Sequence, residues 1–85
     1  MAKKDVCEPC VKILRKICSN TGDVRLCRLA VMYEDGRDVE VLKELKKNYN
    51  NEWFMRELKK AKDELVKSGE LKKEHLASVE REWAK

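Results

Sequence analysis

The chain has 85 residues, 42% charged and 42% apolar, with four cysteines, one proline and one histidine. That length predicts one helical domain spanning 1–85, with a marginal core that a covalent staple would help. The formal charge of +4 is spread thinly, with surpluses of +3 over residues 1–20 and +1 over residues 52–69, whereas a nucleic-acid binder more often shows a concentrated basic stripe.

Every apolar pattern follows a helical period, and no segment alternates as a strand does, so the fold class is all-α: a compact bundle of four to five short helices. The first helix is expected to start at Pro9, a residue suited to the first helical position. Cys10, Val11, Leu14, Ile17 and Cys18 share its apolar face, against Lys12, Arg15 and Lys16. "SNTGD" is predicted as a turn, with Asp23 capping the second helix. That helix, "VRLCRLAVMYE", is apolar almost all round, as central helices are. Asp35-Gly36 ends it, and Asp38 is expected to cap a third helix with a core face of Val41, Leu42, Leu45 and Tyr49.

After Asn50-Asn51 a fourth helix runs from about Glu52 to Lys67, with Trp53, Phe54, Leu58, Ala61 and Leu65 inward. Ser68-Gly69 stops it, and Leu76, Val79 and Trp83 mark a last helical segment. A single helix from Glu52 onward, kinked at Gly69, is the alternative.

The cysteines form C-x2-C-x7-C-x8-C. Four thiols raise the prospect of a zinc or iron–sulfur site, whose sulfurs must lie within roughly 4 Å of one another. On a continuous first helix, eight residues separate Cys10 from Cys18, a rise of about 12 Å, and one metal cannot hold both. A hairpin of the first two helices instead brings Cys18 to Cys27 as a structural disulfide, the alternative being two buried thiols. Cys7 and Cys10 then form a local disulfide, redox-active or inert, or half of a metal site shared across a dimer, or a bridge to another chain.

"CEPC" resembles the thioredoxin active-site motif, which also starts a helix. Lys3 and Lys4 would favour a thiolate there, and Asp5 and Glu8 would oppose it. The likeness covers four residues. No βαβ pattern surrounds them and no second proline faces them, so a thioredoxin fold is excluded.

No cofactor is expected, and ordinary enzyme chemistry is not. His75 has no partner ligand and reads as a surface residue, while Asp63-Glu64 and Glu80/Glu82 read as solvated carboxylates. Residues 38–71 carry the main functional pattern, a short helix, an Asn-rich turn and a longer helix, in the order of a helix-turn-helix. Arg56, Lys59, Lys60 and Lys67 would meet phosphates or bases of duplex DNA, with Trp53 as an anchor. Against this stand the i,i+4 pairs Glu52–Arg56, Lys59–Asp63 and Lys60–Glu64, which suit any solvated helix. The expected function is a non-enzymatic binding or regulatory module. The alternatives are a thiol protein working through Cys7 and Cys10, and a structural or homodimerising domain, with adjacent Trp53-Phe54 offering one aromatic to a protein partner.

The chain lacks glutamine and is rich in Lys and Glu, a bias like that of hyperthermophile proteins, in which intracellular disulfides persist. With no apolar run approaching 18 residues and no signal-peptide stretch, the expected setting is cytoplasmic, away from membranes.

Overall fold

Isoleucines and leucines spaced three and four apart decide which helix sits at the centre. In the computed structural model, which describes residues 7–83, helix α1 (Glu8–Thr21) buries Cys10, Val11, Ile13, Leu14 and Ile17. Positions 10, 13, 14 and 17 fall on one stripe of a 3.6-residue helix. That stripe is shared by three neighbours: α2 (Val24–Glu34), α4 (Glu52–Lys67) and α5 (Lys73–Trp83) all pack on α1, and α3 (Asp38–Asn48) packs on α2. All five helices contribute to one buried apolar cluster. None of the described helices is long and apolar enough to cross a membrane.

The sequence pattern put α2 at the centre, and the structure puts α1 there. α2 buries a single stripe, Leu26, Leu29, Ala30 and Tyr33, and leaves Val24 and Val31 77% and 56% exposed. Its apolar periphery outruns the number of neighbours available to cover it. α1 buries five side chains to the four of α2 in the more crowded position, and Ile13, absent from the expected face, is fully buried.

Helix ends explain the other departures. α1 begins one residue before Pro9, with Cys7 in extended backbone at the N-cap. "SNTGD" is not a turn over its whole length, because Ser19, Asn20 and Thr21 continue α1. Gly22 alone reverses the chain at φ 68°, a left-handed conformation that glycine adopts without the Cβ clash, and its N–H closes on Cys18 O at 2.8 Å. Asp23 then caps α2 as expected, accepting from the N–H groups of Arg25 and Leu26. Asp38 is the first residue of α3, not its cap; Arg37 holds that position. Asn51 caps α4 by accepting from Phe54 N–H at 2.8 Å. Gly69, at φ 85°, separates α4 from α5, so the kinked single helix does not form.

The α1–α2 hairpin is tied at two levels. Cys18 and Cys27 lie at disulfide distance near the turn, with Cα atoms 5.0 Å apart, and Arg15 pairs with Glu34 toward the open end. Further on, the Tyr33 and Trp83 side chains meet at the α2/α5 contact. Burial pushes the Tyr33 hydroxyl up to about 12, while the Trp83 indole N–H lowers it and Glu82 and Asp38 add to the rise. Neither Tyr33 Oη nor Trp83 Nε1 completes a well-formed hydrogen bond.

This buried phenol predicts a pH effect with a definite sign. The native state resists ionising Tyr33 and the unfolded state does not, so stability is unaffected below about pH 10 and falls as pH rises toward 12. By pH 11 the loss should be about 1.4 kcal/mol, and Tyr33→Phe should lack it. Urea midpoints of both proteins at pH 8 and pH 11 measure this component; parallel declines would show that Tyr33 is not its source.

Candidate functional site

On α4 the residues alternate between two duties. Phe54, Leu58, Ala61 and Leu65 face the core, and on the opposite side Arg56, Lys59, Lys60 and Lys67 are exposed. At 100° per residue, Arg56, Lys60 and Lys67 fall within about 40° of one another, along a crest about 16 Å long. Arg56, Lys59, Lys60 and Lys67 line one shallow surface depression together with Asp63 and Glu64.

The two carboxylates there are not equivalent. Glu64 accepts from the Asn20 amide of α1 at 3.0 Å and lies 3.7 Å from Lys16 Nζ. The Asn20 hydrogen bond, followed by the nearby Lys16 and Lys60 charges, holds its carboxyl below the usual range. Glu64 thus turns to α1 instead of serving chiefly as the i,i+4 partner of Lys60. What it contributes is a polar tie between α1 and α4, which leaves Asp63 as the acid nearest the crest centre.

Of the adjacent pair Trp53-Phe54, which spacing places on the inward face but which cannot both point inward, Trp53 is the one exposed, at 41%, while Phe54 is buried. Adjacent positions on a helix diverge by 100°, and Phe54 takes the inward place by stacking at a tilt on Tyr49, centroids 5.5 Å apart. That ring pair and the Asn51 cap set the three-residue connection 49–51 between α3 and α4. A groove of ≈ 570 Å³ opens between α3, α4 and α5, with Leu42, Tyr49, Met55 and Trp83 in its wall and Lys46 and Lys62 at its edge.

Comparison with protein-family models, curated proteins and solved structures finds no match.

Cys7 and Cys10 also stand at disulfide distance, with Cα atoms 5.2 Å apart in the first turn of α1. Cys10 is fully buried and Cys7 is partly exposed. Because α1 is continuous from Glu8 to Thr21, Cys10 and Cys18 occupy opposite ends of it and cannot share a metal. Among the described residues, no group of three or more His, Cys, Asp or Glu side chains converges as a metal site. Lys3, Lys4 and Asp5, expected to tune the Cys7 thiolate, lie outside the described residues.

His75 has a duty that the sequence reading missed. Its Nδ1 accepts from Lys72 N–H at 3.1 Å, closing the start of α5 in the manner of the third residue of a capping box. The signal was present in the spacing, three residues into a helix that follows a glycine turn.

Proposed function

We propose that this protein is a non-enzymatic binding module that lays the outer face of α4 against a polyanion, with duplex DNA the best-fitting class. The observation that carries the proposal is the cationic crest of Arg56, Lys60 and Lys67 opposite the buried stripe, where no other described helix covers it. An α-helix fits the DNA major groove, about 12 Å wide, and a recognition helix reads base edges from its N-terminal half. Arg56 and Trp53 occupy that half, and Lys60, Lys59 and Lys67 follow as phosphate contacts. The short 49–51 connection and the helix that precedes it match the helix-turn-helix order. Such a role sits with the cytoplasmic setting expected from the sequence.

Salt-dependent binding tests this. Fluorescence anisotropy of a labelled duplex should give an affinity falling with salt, with a slope of about −2 to −4 for two to four phosphate contacts. Reversing Arg56 and Lys60 together (Arg56→Glu, Lys60→Glu) should weaken binding by about tenfold or more and flatten that slope by about 2. The same reversals placed on α3, at Lys43 and Lys47, serve as a charge-matched control. Absence of binding at low salt would end the DNA reading, and equal losses from both reversals would reduce it to general charge attraction.

A further inference from the structure

The two cysteine pairs differ in what they hold. Cys18–Cys27 joins one helix to another, whereas Cys7–Cys10 joins the first turn of α1 to itself. That turn is already closed by the backbone, since Val11 N–H donates to Cys7 O at 3.1 Å. Opening Cys7–Cys10 therefore separates no pair of helices, and the four-residue loop it closes restrains the unfolded chain less than the ten-residue loop of Cys18–Cys27. The pair whose opening costs the fold less is the one suited to reversible chemistry.

Access is one-sided as well. Cys10 is fully buried, so an incoming nucleophile can reach only the sulfur of Cys7. The helix terminus then offers a place for the released charge. Asp23 and Asn51 cap α2 and α4 by accepting backbone N–H bonds, and Cys7 holds the same position on α1, in extended backbone, with no side-chain cap bond. Pro9, within the first two residues of α1, has no N–H to give. The donor left for an N-cap acceptor is the N–H of Cys10, at the third helical position. A free Cys7 thiolate would supply the acceptor that the joined pair lacks, and the helix N-terminus favours its negative charge. Glu8, exposed in the same turn, is the one described acid in that turn and opposes it.

We infer that Cys7–Cys10 is a thiol–disulfide exchange site, independent of the α4 face, that takes an exposed dithiol as its substrate. A thiolate of that dithiol attacks Sγ of Cys7, forming a mixed disulfide and expelling Cys10 as a thiolate that takes a proton from water. The second thiolate of the substrate attacks its own sulfur in the mixed disulfide and releases Cys7 as the thiolate at the N-cap. The substrate leaves as a disulfide and the protein as a dithiol, two electrons having moved. Cys18–Cys27 takes no part.

Equilibration in glutathione buffers of graded ratio, followed by alkylation and intact and peptide mass measurement, tests the site. Cys7–Cys10 should be half reduced at a ratio that leaves Cys18–Cys27 at least about 90% joined, with the helical circular dichroism unchanged. Cys10→Ser should accumulate a glutathione adduct on Cys7, and Cys7→Ser should accumulate about tenfold less on Cys10. Oxidised protein should also oxidise dithiothreitol about tenfold faster than the double variant Cys7→Ser, Cys10→Ser. The inference is overturned if both pairs reduce at the same ratio, if Cys7 and Cys10 form adducts equally, or if the double variant oxidises dithiothreitol as fast as the parent.

Discussion

Leu14→Ala should lower the unfolding free energy by about 2–5 kcal/mol, the range for truncating a fully buried leucine. Leu14 is 0% exposed and lies on the stripe of α1 that α2, α4 and α5 share, beside Ile13 and Ile17. A cavity there borders several helices, and a neighbour that moves to fill it must leave contacts elsewhere. At about 0.05–0.15 kcal/mol per residue, a chain of this size holds only about 4–13 kcal/mol in total, so the variant should be partly unfolded near 37 °C. Val24→Ala, at a position 77% exposed on α2, should change stability by no more than about 0.5 kcal/mol. Urea unfolding of both variants measures the contrast. A Leu14→Ala loss below about 1 kcal/mol would mean that the interior collapses freely around α1.

The second large effect belongs to the hairpin. A joined Cys18–Cys27 pair closes a loop of about ten residues and contributes about 2.5–3 kcal/mol by restricting the unfolded chain. Cys18→Ser should remove that amount under oxidising conditions and much less in excess reductant, where the parent loses the bridge too. The turn itself should survive, because Gly22 and the Asp23 cap define it without the sulfurs. Thermal unfolding with and without reductant separates the two contributions. If Cys18→Ser costs the same in both, the cysteines act by packing and not by cross-linking.

Several features were legible in the residues because they depend on near neighbours in the chain. The span of α4, Glu52–Lys67, could be read from its apolar spacing and its Ser68-Gly69 stop, and the structure has those same bounds. The partnership of Cys18 with Cys27 followed from a short turn between two helices. Asp23 flanked α2 at a position where a side-chain oxygen meets free N–H groups, whereas Asn51 was legible only as part of a turn and its capping bond emerged from the structure. The errors of one residue at Pro9 and Asp38 have a local cause too, since either neighbour can occupy an N-cap with similar backbone geometry.

The candidate site was less readable. Charge counting identified Arg56, Lys59, Lys60 and Lys67 but assigned Glu64 to Lys60, as intrahelical spacing dictates. Asn20 and Lys16 of α1 compete for it, and nothing in the spacing of α4 reveals that α1 lies alongside. Similarly, a run containing both Trp53 and Phe54 shows that one must face outward without showing which.

The sequence by itself determined that this protein is helical, where most helices start and stop, and that a hairpin would bring Cys18 beside Cys27, because periodicity, caps and turn length act over a few residues. Tertiary structure alone decided that α1 and not α2 is central, that Phe54 is buried and Trp53 exposed, and that Glu64 belongs partly to α1. Those outcomes depend on which faces meet: a helix with a broad apolar surface is buried only where neighbours arrive to cover it, and α1 has three.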